Sequence, residues 1–142
     1  MAIMKYLGSV HKLEPEDPYL YYKGEEFCEF VMSDFWKLFY GVIMPANPES
    51  KEKALNEMLD KHIPNFFSKL EESLDADKKW ICGDQFTWFD MIIGGVFTNM
   101  LLNPNAGDKD AWAEVYGKAP KRVNQYVIDF YDAMKIYLAT RK

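Results

Sequence analysis

The sequence has few residues that could bind a metal or form disulfides. There are two cysteines, Cys28 and Cys82, and two histidines, His11 and His62. None of the four lies at the spacing of a metal-binding motif, and neither cysteine belongs to a CxxC pair. We therefore expect neither a metal centre nor a disulfide framework. Few, unpaired cysteines are typical of a reducing compartment, which predicts a cytosolic protein.

Long apolar runs and excess positive charge are missing as well. No run approaches the ~20 apolar residues of a membrane span, and no charged start followed by an apolar segment indicates a secretory signal. The net charge of -5 argues against a nucleic-acid partner. By contrast, 49% of the 142 residues are hydrophobic and 16% are aromatic, which excludes disorder and predicts a well-packed core.

The apolar residues recur at helical spacing, without the alternation of a strand. One stripe runs from Leu55 to Leu74, and Pro64 within it predicts a kink near Asp60 to His62. Gly94-Gly95 lies in a helix that is apolar on almost all sides, and each glycine costs roughly 1 kcal/mol relative to alanine. We therefore expect this helix to be central and closely crossed by another. The pattern predicts an all-α protein, a bundle of five to six helices. The predicted segments are Ala2–Leu7 (ended by Gly8), Tyr19–Tyr40, Lys51–Leu74, Trp88–Leu102, Ala111–Tyr116, Pro120–Tyr131 and Ala133–Thr140.

The start of the central helix can be identified residue by residue. Thr87 is a favoured N-cap, and Asp90 three positions later can accept a hydrogen bond from the Thr87 N–H, as in a capping box. Upstream, Gly83-Asp84 indicates a turn, and Trp80-Ile81 indicates a short buried anchor. A cap of this kind contributes ~1 kcal/mol, so we expect Asp90→Ala to lower the stability by about that amount.

This arrangement resembles one place in one family. In glutathione transferases, a similar anchor, a Gly-Asp turn and a Thr-x-x-Asp box open the buried helix of the C-terminal all-α domain. Four further segments resemble that family in the same order, so the resemblance covers nearly the whole chain. They are Met1–Gly8, Asp17-Pro18, Ile63–Glu71 and Tyr137–Arg141. The resemblance makes residues 1–12 the last helix of a thioredoxin-like domain and residues 13–142 the helical domain.

The resemblance also bears on catalysis. In that family the residues that activate glutathione belong to the thioredoxin-like half, and this sequence begins at the last helix of that half. The resemblance therefore implies no catalytic residue here, with glutathione as a co-substrate only in a full-length protein. Because the donors that lower a thiol pKa would precede Met1, we expect no glutathione conjugation by this chain alone. Met1 as a native start and Met1 as an internal residue both fit the sequence.

The family's helical domain supplies the wall of the hydrophobic-substrate pocket, from the end of its first helix and the following loop. Aromatic residues and methionine suit a permissive apolar pocket. The alternative is that they belong to the ordinary core. The matching residues are Phe35, Trp36, Phe39, Tyr40 and Met44. Asp34 is the nearest match to an acidic residue that some classes use to contact glutathione across a dimer, and otherwise a solvated helix residue.

Two functions of different classes follow. The first is the C-terminal domain of a cytosolic glutathione transferase, with a pocket for hydrophobic small molecules and a dimer surface. The second is a stand-alone protein-interaction module, like the similar domains of translation elongation factor gamma subunits and synthetase scaffolds. In either case we expect an apolar patch on Ile3, Met4, Leu7 and the first bundle helix, and hence self-association.

Overall fold

Six helices account for the fold in the computed structural model, which describes residues 2–75 and 77–140. The predicted all-α bundle is confirmed, since within these residues the only β-type pairing is an isolated bridge between Trp80 and Gly83. What was predicted for Met1 and Arg141 lies outside the described residues. The helices are α1 (Ala2–Val10), α2 (Pro18–Glu29, Phe30–Phe35 and Trp36–Ile43), α3 (Pro48–Glu57, Met58–His62 and Ile63–Ser73), α4 (Trp88–Val96 and Phe97–Leu101), α5 (Lys109–Tyr116) and α6 (Lys121–Thr140).

Each of α2, α3 and α4 contains a π-helical segment, at Phe30–Phe35, Met58–His62 and Phe97–Leu101 respectively. The one in α3 has an identifiable cause. Pro64 has no N–H to donate to the preceding turn, so the backbone there cannot keep regular α-helical bonding. The irregularity that the sequence predicted near Asp60 is therefore present as a wider turn.

Several predicted helix ends are wrong. Helix α2 continues through Gly41 to Ile43 instead of ending at Tyr40, and α3 begins at Pro48 instead of Lys51. Gly8 does not end α1, which continues to Val10. A Cβ atom at Gly8 would lie 2.3 Å from Cδ1 of Trp88, so this glycine allows α1 to pack closely on the Trp88 ring. The last two predicted segments form the single helix α6, because no glycine or proline interrupts Lys121–Thr140 and Met134 keeps its second half packed on the core.

Helix α4 is central, as the sequence predicted. It packs directly against α1, α2 and α6, and its π segment packs against α5. The start of α2 has the form that an Asp-Pro pair predicts, with Asp17 as N-cap and Pro18 as the first helical residue. Asp17 Oδ1 accepts a 2.7 Å hydrogen bond from the N–H of Tyr19. The core beneath α2 and α3 is aromatic, with the rings of Phe35 and Phe66 centred 5.0 Å apart. These contacts fix α4 as the element against which the remaining helices are positioned.

Candidate functional site

The N-terminus of α4 carries a buried hydrogen-bond network. Thr87 and Asp90 form the predicted capping box, with the Thr87 N–H donating to Asp90 Oδ2 at 2.9 Å. The Thr87 hydroxyl donates to the same oxygen at 2.8 Å. The other carboxylate oxygen, Oδ1, accepts from the Ile81 N–H at 3.2 Å and from the Tyr126 hydroxyl at 3.0 Å. The Asp90 carboxylate thus connects the loop that contains Ile81 with the start of α4 and with α6.

This network has a structural role. Asp90 and Thr87 are both fully buried, so the carboxylate has no exposed face to offer a substrate. Burial raises the pKa of the Asp90 carboxyl, and the hydrogen bonds from Thr87, Ile81 and Tyr126 oppose that rise. Burial together with the nearby Asp90 charge raises the pKa of Tyr126 well above its ordinary value. Tyr126 therefore stays a neutral donor.

A cleft of about 490 Å³ opens beside this network, between α1, α4 and α6. Its volume falls within the range of small-molecule sites. Three methionines reach it from three different helices, and none of the lining residues within 2–75 and 77–140 is charged. The lining residues are Met4, Met91, Gly95, Thr98, Asn99, Phe130, Met134, Tyr137 and Leu138.

The two adjacent glycines of α4 have different surroundings. A Cβ atom at Gly94 would lie 2.1 Å from two ring carbons of Phe130, so α6 crosses α4 closely there, as the sequence predicted. The same expectation is wrong for Gly95. A Cβ atom at Gly95 would meet only Asn99 Nδ2, at an ordinary 3.5 Å. Packing therefore requires the first glycine and leaves the second beside the open cleft.

Comparison with known proteins decides the family. The family model described as "Glutathione S-transferase, C-terminal domain" matches residues 33–135, well over half of the chain. The chain belongs to the glutathione S-transferase C-terminal domain family. No curated protein and no solved structure gives a significant match.

In this glutathione S-transferase C-terminal domain, the predicted pocket wall does not form one continuous surface. Phe35 and Phe39 are buried, and the Phe39 ring is centred 5.9 Å from that of Trp112. Trp36 is partly buried between them, 5.3 Å from the Phe39 ring centre. Tyr40 and Met44 project into solvent, with exposed fractions of 55% and 76%. The structure thus places part of this set in the core and part on the surface.

Asp34 is exposed on the π segment of α2, and its contact with glutathione across a dimer stays a prediction. The role of the five wall residues also stays a prediction.

The cleft beside α4 was not identified from the sequence. The glycine pair was the available signal, but its spacing could not show that only Gly94 meets another helix.

The two cysteines of the domain are unsuited to nucleophilic chemistry. The Cys82 thiol lies 3.2 Å from the carbonyl oxygen of Leu20, and Cys28 lies 3.8 Å from that of Phe89. Burial raises the pKa of the Cys82 thiol to about 12, and burial also raises the pKa of Cys28 strongly. Because the thiolate is the reactive form, both side chains behave as small core residues.

Two further findings concern the described part of the domain. Nowhere in residues 2–75 and 77–140 do three His, Cys, Asp or Glu side chains converge as a metal site would require. No helix within those same ranges is both long enough and apolar enough to cross a bilayer.

Proposed function

We propose that this chain is the helical, substrate-side half of a cytosolic glutathione S-transferase-like protein. It presents an apolar surface to a second copy and supplies part of the hydrophobic-substrate wall, including Tyr40 and Met44. Glutathione chemistry requires the thioredoxin-like half, of which residues 1–12 are the last helix. Family membership and one surface feature support this proposal.

The observation that carries the proposal is an exposed apolar stripe on α1. Ile3, Leu7 and Val10 recur at helical spacing on one face, with Tyr6 beside them. Their exposed fractions are 75%, 41%, 56% and 69% in the order Ile3, Leu7, Val10, Tyr6. Contiguous apolar surface of this kind is typically covered by a partner. Met4 differs from the prediction, since it packs partly against the core.

Packing against the bundle fixes the orientation of the stripe. Gly8 lies against the Trp88 ring and Met4 packs partly against the core, while Lys5 Nζ lies 2.9 Å from Glu25 Oε2 on α2. The side of α1 that carries Ile3, Leu7 and Val10 is consequently the one that faces outward. A single short helix with such a face gains most by packing against another chain, because isolated helices under ~12–15 residues are marginal in water.

Sedimentation velocity over a range of protein concentrations tests the surface. We expect concentration-dependent self-association that the double variant Ile3→Ser/Leu7→Ser abolishes. The matched control is Ile128→Ser, which changes an apolar side chain that is 61% exposed on α6 and lies outside the cleft. A concentration-independent monomer for the unmodified chain contradicts the proposed surface.

A conjugation assay tests whether glutathione chemistry requires the thioredoxin-like half. Purified chain, glutathione and chlorodinitrobenzene should give no rate above the uncatalysed reaction, because the residues that activate glutathione in this family belong to the thioredoxin-like half. Conjugation well above that background would show that these residues contain their own activating group.

A further inference from the structure

We propose that a groove between α3 and the connection from α5 to α6 binds a short segment of a partner protein in which two basic side chains flank an apolar one. The groove has a volume of about 390 Å³. Helix α3 forms one wall between Leu59 and Glu71, and the opposite wall comes from Val115, Lys118 and Pro120. None of the residues that line it belongs to the predicted substrate wall or to the apolar stripe on α1.

The wall on α3 places two carboxylates at the ends of an apolar stretch. Asp60, Pro64, Phe67 and Glu71 all line the groove and follow one another at steps of four, three and four residues. Such steps keep side chains on one face of a helix. With a rise of about 1.5 Å per residue, the two acidic residues lie about 16 Å apart along the helix axis. The order along this face is therefore acidic, apolar, apolar, acidic.

The floor of the groove is apolar and already formed. Phe67 and Val115 are buried, and the Phe67 ring stacks on that of Phe97 with the ring centres 6.5 Å apart and the planes 4° apart. Leu59 is partly buried and packs against the same core. Because the core holds these side chains in place, an incoming apolar group binds without rearranging them, which lowers the cost of binding.

The rim determines the charge of the partner segment. Asp60 and Glu71 are exposed, and neither carboxylate forms an ion pair or a side-chain hydrogen bond with another residue in the described ranges 2–75 and 77–140. Lys118 also lines the groove, but its ammonium group already lies 3.1 Å from the Glu114 carboxylate. A basic segment would therefore gain two counter-charges, whereas an acidic segment would be repelled.

The excess of negative charge continues along α3 beyond the groove. A neighbouring shallow depression shares Asp60 with the groove, and its lining has more acidic than basic side chains. They are Glu49, Glu52, Glu57 and Asp60 against Lys53 and Lys61. Charge of one sign along such a surface raises the local concentration of oppositely charged partners.

The π-helical segment of α3 adds a backbone acceptor beside Asp60. The Ile63 N–H donates to the Met58 carbonyl, whereas in a regular α-helix it would donate to that of Leu59. Pro64 has no N–H with which to replace that bond. The Leu59 carbonyl thus lacks its regular donor at the end of the groove where Asp60 lies. Arginine and lysine side chains carry donors and no acceptor, so they match a rim of this kind.

The distance between the two acidic residues determines the pattern of the segment. In an extended chain every second side chain points to the same face, and each residue adds ~3.3 Å. Two basic residues four positions apart therefore span ~13 Å, with one apolar side chain between them on the same face. The long arginine side chain covers the remaining distance to each carboxylate. The expected pattern is basic-x-apolar-x-basic.

Titration with a designed peptide, followed by the backbone amide resonances of the protein, tests the proposal. The probe is acetyl-Ser-Arg-Ser-Leu-Ser-Arg-Ser-amide. One control peptide has glutamate in place of both arginines, and a second has serine in place of leucine. We expect saturable shifts at Leu59, Phe67 and Val115 with the probe, and binding weaker by about tenfold or more for each control. No saturable shift at about 1 mM probe, or equal binding of either control, would overturn the proposal.

Matched charge variants of the protein test the location. Asp60→Asn/Glu71→Gln should weaken probe binding by about tenfold or more. Glu16→Gln/Asp132→Asn removes two exposed charges elsewhere and should leave binding within about threefold. The amide spectrum checks that both variants remain folded. Equal weakening by the two variants would show that only net charge matters. Loss of self-association in Asp60→Asn/Glu71→Gln would show that a second copy of this chain fills the groove. Either result would overturn the proposal.

Discussion

Asp90→Ala tests how far one buried carboxylate holds this domain together. The substitution removes both acceptor oxygens of a side chain that is fully buried and receives four hydrogen bonds. The donors come from Thr87, Ile81 and Tyr126, which lie in the cap, the anchor loop and α6. Alanine offers none of them a replacement, and the site is closed to solvent.

The magnitude follows from the donors that are left behind. Two backbone N–H groups, of Thr87 and Ile81, and the Tyr126 hydroxyl lose the acceptor that Asp90 provides, and alanine leaves them buried without it. Each buried donor without a partner costs about 1–3 kcal/mol, and such costs are less than additive. We therefore expect Asp90→Ala to lower the free energy of unfolding by ~3–5 kcal/mol. Loss of a cap alone, which is all the sequence indicates, would cost only ~1 kcal/mol.

Urea denaturation followed by circular dichroism measures this difference. Asp132→Ala is the matched control, since Asp132 is a largely exposed carboxylate on α6 paired with Lys135, and its loss should stay within ~0.5 kcal/mol. Tyr126→Phe should cost ~1.5–3 kcal/mol in the unmodified chain, because it removes a hydrogen bond to a buried carboxylate. In the Asp90→Ala background the same change should cost nothing or restore stability, because it removes an unsatisfied buried hydroxyl. A loss of 1 kcal/mol or less for Asp90→Ala would refute the reasoning.

The remaining predictions concern the glycine pair and the cysteines. Gly94→Ala should lower the free energy of unfolding by ~1–3 kcal/mol, because its methyl group would overlap the Phe130 ring, whereas Gly95→Ala should be neutral or stabilising. Equal effects of the two in chemical denaturation would contradict the packing difference. Cys28 and Cys82 should react with Ellman's reagent at pH 8 only when the domain unfolds, since burial raises both thiol pKa values and that of Cys82 reaches about 12. Rapid reaction of native protein would show that a thiol is accessible.

The parts of this structure that could be predicted from the sequence depend on residues close together in the chain. The cap at Asp17 and the box of Thr87 and Asp90 each form within three positions, so their residue types suffice to define them. The same holds for Pro64, whose missing N–H disturbs the turn before it. The bundle itself follows from helical periodicity, which specifies the buried face of each helix without specifying its neighbour.

Contacts between distant residues could not be predicted in this way. Tyr126 reaches Asp90 across 36 positions, and nothing in either local sequence indicates that pairing. Gly8 was predicted to end α1 because glycine weakens helices, but the Trp88 ring beside it outweighs that preference. For the predicted substrate wall, too, the sequence could not indicate how each side chain packs. The family resemblance grouped Phe35 with Tyr40 but could not show that Phe35 is buried while Tyr40 is exposed.

Helix α4 depends both on contacts within its own segment and on contacts with distant residues. Its N-terminus is fixed by hydrogen bonds to Asp90, and Gly94 lets α6 approach one of its faces closely. Successive residues of a helix point about 100° apart, so Gly95 faces a different direction from Gly94 even though the two are identical in sequence. The close crossing at Gly94 and the cleft at Gly95 are therefore two sides of one arrangement. The same Phe130 ring that fills the space over Gly94 also forms part of the cleft wall, so one side chain takes part in both features.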